Sequence, residues 1–272
     1  IDLANANEEI SRQKSELQSK NLSITESIEY AKTLQRAILP SERTLAKFFR
    51  DSFVYFQPKD IVSGDFYWFS GKNDQFVLAA VDCTGHGVPG AMVSVLGNNM
   101  LNSIVDKEGI TDPALILQKM NNRIKESLQN NEANVTANDG MDMALCTFNP
   151  NSNTLYFSGA YRPLVMIRDG ELTEFKGDRR SIGGFSDYDA EFAQHEIKTK
   201  KGDVFYIYSD GYADQFGGAN NRKYMTSKMK QLLLFMHLMP MHEQQELLAT
   251  EHINWKGNYE QVDDLLVIGF QL

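Results

Sequence analysis

The chain has 272 residues, of which 42% are apolar and 23% are charged, and its formal net charge is −9 from 27 basic and 36 acidic residues. This composition fits a globular protein with one large domain, and the acidic balance argues against a protein that coats nucleic acid. No apolar run approaches the ~18 residues of a membrane span, and no signal peptide is recognisable. We therefore expect a cytoplasmic domain. Because the first residue is Ile1, we expect it to be a piece of a longer protein, whose upstream region can hold a sensor or attach the protein to a membrane.

Residues 1–40 predict a long helix, since they contain no Gly and their only Pro is Pro40. Apolar residues recur every seven positions, which is one seam of a coiled coil. This seam is Leu3, Ile10, Leu17, Ile24, Ala31 and Ile38. The second seam is mostly polar, namely Asn7, Lys14, Asn21, Ile28 and Gln35. We expect a weak, switchable coiled coil that forms a homodimer; the alternative is an amphipathic helix that caps the fold. From Ile24 onward the apolar residues are denser, so this end is expected to pack on a domain at 41–272.

The rest of the chain reads as a mixture of strands and helices in an irregular order. Strands are predicted at 52–57, 64–69, 75–82, 141–149, 153–159, 163–168, 172–175, 191–197, 203–209 and 264–270. Helices are predicted at about 89–106, 113–130, 223–238 and 241–251. Short turns between strands indicate antiparallel hairpins, and the helices come in pairs. This is not the regular alternation of a doubly wound sheet, so the sequence predicts an α+β fold of antiparallel sheets flanked by helix pairs. The thiols of Cys83 and Cys146 are expected to be reduced core residues.

A glycine-rich turn follows the predicted strand 75–82, where Gly85, Gly87 and Gly90 spell G-x-G-x-x-G. A dinucleotide site also needs a second parallel strand that ends in an acid about 20 residues further on. The next stretch is helical instead, and Asp106 lies at the end of a helix, so the dinucleotide interpretation fails. The glycines remain typical of a tight turn with positive φ, or of helix-start amides that face an anion.

Aspartates stand at the ends of four apolar strands: Asp65, Asp82, Asp210 and the pair Asp263 and Asp264. A single such residue is usually a turn former or a cap. Aspartates at four strand ends are different, since no Lys or Arg lies within two residues of any of them. They predict carboxylates that converge in space and need cations between them. Oxygen ligands favour Mg²⁺ or Mn²⁺. Two such ions suit an activated water for phosphoester hydrolysis.

Other chemistries find less support in the sequence. The five His form no H-x-x-x-H pair, and C-x-x-C, the kinase-type P-loop and the G-x-S-x-G elbow are all missing. His86 is expected to be a turn residue that hydrogen-bonds backbone, and Ser209 a packing residue.

Six spaced motifs resemble the metal-dependent protein phosphatase (PPM) family, in its bacterial SpoIIE/RsbU-type branch. They are SGDFYWF, VDCTGHGVPGAM, DGMDMALCTF, SGAYRPL, YSDGYADQF and QVDDLLVIGF. The resemblance covers about residues 45–272. It implies an α-β-β-α sandwich and hydrolysis of phosphoserine or phosphothreonine on a protein by a water activated by two Mn²⁺ or Mg²⁺. The resemblance also implies that Asp65 bridges both metals, and that Asp82, the Cys83 carbonyl, Asp210 and Asp263 are further ligands, with Asp264 the less favoured neighbour.

Several residues depart from the family pattern or fall outside its motifs. The segment 158–162 (SGAYR) has no acid where many eukaryotic relatives help to hold a third metal, so a third metal is not expected there. Asp139 and Asp142 are interpreted as turn and structural residues. Arg162 is a candidate for substrate phosphate or for a surface salt bridge, and Arg179 and Arg180, in a loop predicted near the site, are candidates for contact with an anionic substrate.

The expected function is the phosphatase output domain of a bacterial signalling protein, driven through the 1–40 helix by an upstream sensor. Its expected partner is a phosphorylated regulatory protein such as an anti-sigma-factor antagonist. The alternative is an inactive phosphatase fold that serves as a binding or scaffold module.

Overall fold

A computed structural model describes residues 2–129, 140–184 and 191–272 of the chain. The strands are β1 (Asp51–Gln57), β2 (Phe66–Lys72), β3 (Gln75–Cys83), β4 (Met141–Asn149), β5 (Thr154–Ala160), β6 (Leu164–Arg168), β7 (Glu171–Phe175), β8 (His195–Lys198), β9 (Val204–Tyr208), β10 (Phe216–Gly217), β11 (Arg222–Lys223) and β12 (Leu265–Gln271). The α-helices are α1 (Asp2–Ile38), α2 (Gly87–Leu101), α3 (Pro113–Gln129), α4 (Gly211–Asp214), α5 (Thr226–Met236) and α6 (Met241–Lys256). A 3₁₀ turn at Glu42–Lys47 and a π-helical extension of α2 at Asn102–Lys107 complete them.

Ten of these strands form two five-stranded antiparallel sheets, and β10 and β11 pair in a separate hairpin. The first sheet has the order β2-β3-β4-β5-β8, and the second has the order β1-β12-β9-β6-β7. One apolar core lies between the sheets, a second lies between the first sheet and α2 and α3, and a third lies between the second sheet and α5 and α6. The predicted α-β-β-α sandwich of helix pairs around two sheets is confirmed.

Strand β3 shows why the sequence folds in this way. Its residues are buried on both faces, so its sequence is a continuous apolar run rather than an alternation of apolar and polar residues. Phe76, Leu78 and Ala80 face the core between the sheets, whereas Val77 and Ala79 face the helices. The two faces of one strand thus link two of the three cores.

Two strands begin later than the sequence predicts, and hydrogen bonds explain the difference in each. Strand β2 begins at Phe66 instead of residue 64, because the amides of Gly64 and Asp65 donate to the Asp264 carboxylate. Strand β8 begins at His195 rather than at residue 191, because the amide of Ala193 donates to the Asp178 side chain. The short β10–β11 hairpin and α4 were not predicted, since each is too short to carry a period.

Helix α1 ends where the sequence predicts, and only part of its expected apolar contact with the domain forms. Its first seam is exposed: Leu3, Ile10, Leu17 and Ile24 are 80%, 62%, 60% and 58% accessible. Ile24 and Leu34, expected to pack on the domain, are both exposed. Ile28, Ala31 and Ile38 are half-buried, in line with the prediction for this end of the helix. Gln35 adds a buried polar contact: its Nε2 donates to the Ser63 carbonyl (2.6 Å) and its Oε1 accepts from the Ser63 amide (3.1 Å).

Two further expectations concern the thiols and the membrane. Cys83 and Cys146 are both free and buried, as predicted. Within the described ranges, no helix combines the length and the hydrophobicity needed to cross a bilayer.

Candidate active site

The antiparallel topology brings the aspartates to one end of the sandwich. Asp65 precedes β2, Asp82 lies near the end of β3, Asp210 follows β9 and Asp263 precedes β12. In antiparallel sheets the start of one strand and the end of its neighbour meet at the same edge. Asp82 interacts electrostatically with Asp65, Asp210 and Asp263, so acids from both sheets face one another.

Asp82 is the carboxylate at the centre of this group. Burial raises the pKa of Asp82 to about 7; Arg162 opposes this shift, and the charges of Asp210 and Asp142 add to it. Burial, followed by the charge of Asp82, raises the pKa of Asp65 well above its usual value. Asp65 is only 3% accessible, and its Oδ2 has no hydrogen-bond partner among the described residues. A buried, unpartnered carboxylate oxygen is costly unless something positive meets it.

Arg162 lies inside the acidic group rather than on the surface. Its Nη2 is 2.7 Å from Asp210 Oδ2, 2.8 Å from Asp142 Oδ2 and 3.2 Å from Asp82 Oδ2. The contacts to Asp210 and Asp142 are hydrogen bonds, while the one to Asp82 is an ion pair without hydrogen-bond direction. Of the two roles considered for Arg162, the surface salt bridge is wrong, because its side chain is only 17% accessible.

Asp142, which was interpreted from the sequence as a turn or structural residue, is a member of the site. In the β3–β4 ladder Asp142 is the direct partner of Asp82. Its Oδ1 accepts a hydrogen bond from the Ser181 hydroxyl (2.6 Å), while its Oδ2 faces Arg162. The detectable signal was a charged residue within an apolar strand, and only the strand register shows which acid it faces. Asp139 lies outside the described residues.

Asp263 and Asp264 have different environments although they are neighbours. Asp264 is 1% accessible and accepts hydrogen bonds from the amides of Lys59 (2.7 Å), Gly64 (2.8 Å) and Asp65 (3.4 Å). Asp263 is exposed, and its Oδ1 accepts only the Asp264 amide in the described structure (2.8 Å). Asp264 therefore fixes the loop that carries Asp65, and Asp263 keeps oxygens available to a ligand.

The glycine-rich turn lies directly against the Asp65 loop. Gly85 and Gly87 have φ of +85° and +65°, as the turn prediction requires. A Cβ on Gly64 or on Gly90 would overlap the carbonyl oxygen of Gly85, and one on Gly64 would lie 3.3 Å from the Cys83 carbonyl oxygen. The glycines thus allow two backbones to pass close together beside Asp82. His86 differs from its prediction, since its Nδ1 contacts the Asp60 carboxylate (2.8 Å) instead of backbone.

The loop predicted near the site reaches it through Ser181. Arg180 instead lies over the ring of Phe192, 3.8 Å from its centroid, in a cation–π contact, and Arg179 is exposed. Residues 185–190, also predicted to belong to this loop, lie outside the described residues.

The donor chemistry fits hard cations. Asp65, Asp82, Asp210 and Asp263 offer carboxylate oxygens, the ligands that Mg²⁺ and Mn²⁺ prefer. Burial and mutual repulsion leave Asp65 and Asp82 with raised pKa values, as expected for acids in need of a positive partner. As the side chains stand, however, the described part of the chain has no group of three or more His, Cys, Asp or Glu ready to hold a metal ion. Two of these carboxylates, those of Asp82 and Asp210, contact Arg162 instead.

The paired sheets, the flanking helices and the aspartates at one end define a PPM-type protein phosphatase domain. The SpoIIE family profile (Stage II sporulation protein E) matches residues 72–272. The chain belongs to this SpoIIE family.

Known proteins resemble the chain to different degrees. It is 31% identical to the SiaA-PP2C domain of Pseudomonas aeruginosa, with a TM-score of 0.83, over 93% of this chain and 98% of that one. It is 26% identical over 199 residues to the phosphoserine phosphatase RsbU of Bacillus subtilis, covering 70% of this chain and 54% of RsbU. The chain thus spans about half the length of that curated relative. RsbX in complex with magnesium shares the fold at 15% identity and a TM-score of 0.56, over 81% of this chain and 94% of that one.

Proposed function

We propose that the chain is a metal-dependent protein serine/threonine phosphatase that acts as the output domain of a bacterial signalling protein. The observation that carries the proposal is the convergence of four strand-end aspartates, one of which, Asp65, is buried and has an unpartnered Oδ2 among the described residues. The similarity to RsbU and to the SiaA-PP2C domain supports it.

We assign the metal-binding role to Asp65, Asp82, Asp210, Asp263 and the Cys83 carbonyl. When bound, two Mn²⁺ or Mg²⁺ would supply Lewis acidity and a water nucleophile at neutral pH. The resemblance implies that Asp65 would be the acid shared by the two ions; we instead propose Asp82 for that role, because Asp82 is close enough to interact electrostatically with Asp65, Asp142, Asp210 and Asp263.

The remaining residues of the site hold these acids in place. The Asp264 carboxylate fixes the amides of Gly64 and Asp65. Gln215 is fully buried, and its side chain donates to the Glu260 carbonyl (2.9 Å) and accepts from the Val262 amide (3.3 Å), which fixes the loop that leads to Asp263. Preorganised acids of this kind lower the cost of assembling the charged site.

Hydrolysis of a phosphoserine peptide with and without Mn²⁺ tests the activity. Asp65→Asn and Asp210→Asn are expected to lower turnover at least 100-fold while the circular dichroism spectrum stays that of the wild type. Asp203→Asn is the matched control, since Asp203 is a buried acid that pairs with Arg168 (2.5 Å) at the other end of the sheet. It should lower the melting temperature but keep turnover per folded molecule.

The alternative, an inactive scaffold, predicts a different result in the same experiments. A scaffold would not bind Mn²⁺ in titration calorimetry, and the two aspartate variants would behave like the wild type. The presence of all four aspartates disfavours it.

A second copy of the chain is the proposed partner of α1. The seven-residue seam of Leu3, Ile10, Leu17 and Ile24 is exposed over more than half of each side chain, and such a stripe is typical of a coiled-coil surface. The polar second seam would keep the pairing weak, which suits a helix that transmits the state of an upstream sensor. Light scattering should show a dimer that Ile10→Asn with Leu17→Asn turns into a monomer; a wild-type monomer at high concentration would contradict the proposal.

The proposed substrate is a phosphorylated regulatory protein, of which a phosphoserine-bearing anti-sigma-factor antagonist is one type. The proposed location of the domain is the cytoplasm, with any membrane attachment through an upstream region. Arg179, exposed beside the site loop, stays a candidate for contact with this substrate.

A further inference from the structure

A single guanidinium nitrogen contacts three carboxylates at the candidate active site. The three oxygens, from Asp82, Asp142 and Asp210, lie within 3.2 Å of Arg162 Nη2. Arg162 Nε is also buried and has no hydrogen-bond partner among the described residues. The charged end of this arginine thus meets acids from β3, β4 and the end of β9, as a small cation would.

The backbone is shaped to place Arg162 at this point. Tyr161 has φ of +56°, an unfavourable conformation for a residue with a side chain, and it turns the chain at the end of β5. The carbonyl oxygen of Arg162 lies so close to Gly159 that a Cβ there would overlap it, and a Cβ on Gly177 would come within 2.8 Å of it. Strain and close approach of this kind persist where the surrounding structure enforces them.

Charge balance shows what Arg162 contributes. Without it, the carboxylates of Asp82, Asp142 and Asp210 would face one another, and no other described cationic side chain forms an ion pair with them. Asp142 adds an acid beyond the four proposed ligands, and Ser181 orients its second oxygen. One extra acid and one arginine therefore enter the site together, which leaves its net charge unchanged.

We propose that Arg162 is a tethered cation that takes the position of an additional metal ion and is anchored there by Asp142. This inference rests on the proposed function and deepens it, because it sets how many divalent cations the centre takes. Arg162 is then a positioning residue that holds Asp82 and Asp210 and competes with cations for their oxygens. Removal of its charge leaves three carboxylate oxygens around one position, which is a site for a hard divalent cation.

Titration calorimetry with Mn²⁺ on the full chain tests this inference. Arg162→Met keeps an unbranched side chain that reaches as far as the Nε position and removes the charged end that contacts the acids, and we expect it to bind one more Mn²⁺ per chain than the wild type does. Arg162→Lys should keep the wild-type number. Arg162→Met combined with Asp142→Asn should return to the wild-type number, since one of the three acids is then neutral.

Arg168→Met is the matched control. Arg168 pairs with buried Asp203 and lies at the other end of β6, roughly 20 Å from Arg162 at ~3.3 Å per residue. It should leave the number of bound Mn²⁺ unchanged. If Arg162→Met does not fold without metal, Mn²⁺ should restore its circular dichroism spectrum, and Mn²⁺ should not do so for a misfolded Arg168→Met.

The outcomes separate this inference from the proposed function. A wild-type number, or a smaller number, of bound Mn²⁺ in Arg162→Met overturns the inference, as does a misfolded variant that Mn²⁺ fails to restore. If the wild type itself binds no Mn²⁺, the proposed function fails; an ion gained by Arg162→Met would still support the inference.

Discussion

Asp263 and Asp264 are adjacent in the sequence, and their replacement by Asn is expected to affect different properties of the protein. Asp264 is buried, and its carboxylate accepts three backbone amides. Asp263 is exposed, and burial of part of its side chain and the charge of Asp210 raise its pKa. Asp263 is thus placed to bind a cation, and Asp264 is placed to stabilise the fold.

The size of each effect follows from these contacts. A hydrogen bond to a charged group contributes ~1.5–3 kcal/mol, so loss of two of them in Asp264→Asn should cost about 3 kcal/mol or more. For a domain of this size, that lowers the melting temperature by about 6–12 °C. Asp263→Asn removes a negative charge from an acidic group, so the metal-free melting temperature should stay within ~2 °C of the wild type or rise.

Thermal denaturation without metal, followed by Mn²⁺ titration of each folded variant, measures both effects. Asp263→Asn should weaken Mn²⁺ binding at least tenfold at unchanged stability. Equal losses of stability in the two variants would refute the assignment, as would wild-type Mn²⁺ affinity in Asp263→Asn.

Three further predictions follow from the geometry. Gly90→Ala should lower the melting temperature by several degrees and weaken Mn²⁺ binding, because its Cβ would overlap the Gly85 carbonyl oxygen; equal stability and affinity would contradict the packing. The pKa of Asp82 is raised from 3.8 to about 7, so the folded protein binds more protons than the unfolded chain between these values. Metal-free stability should therefore fall as pH rises from about 4 to about 7, and denaturant titrations of Asp82→Asn should show a weaker fall. Gln35→Ala removes the bonds between α1 and Ser63, at ~1 kcal/mol each, and should speed proteolysis of α1; unchanged cleavage would count against this contact.

The fold was predictable because its main strands and helices are long enough to carry a recognisable hydrophobic pattern, either a continuous apolar run or a helical repeat. Strand β3 is an apolar run that ends in Asp82, and β12 is one that begins after Asp264, so both the elements and the acids at their ends are visible in the sequence. The convergence of the aspartates was predicted from their shared place at strand ends, and the antiparallel order of the strands explains it.

The roles of Asp142 and Arg162 were not predictable in the same way. Asp142 becomes a member of the site through the register that pairs it with Asp82, and a shift of one residue would face it away. Arg162 reaches the acids because Tyr161 takes positive φ, and this conformation cannot be predicted from a Tyr in the sequence. The docking of α1 through Gln35 was missed because a polar residue in an apolar period is normally assigned to the solvent side.

The most direct test of metal-dependent phosphatase activity at the aspartates combines Mn²⁺ binding and phosphoserine-peptide hydrolysis in the wild type and in Asp82→Asn. Asp82 is chosen because it interacts with Asp65, Asp142, Asp210 and Asp263. We predict saturable Mn²⁺ binding and Mn²⁺-dependent hydrolysis in the wild type, and the loss of both in a folded Asp82→Asn. Hydrolysis that needs no divalent cation, or that survives unchanged in Asp82→Asn, would contradict this prediction.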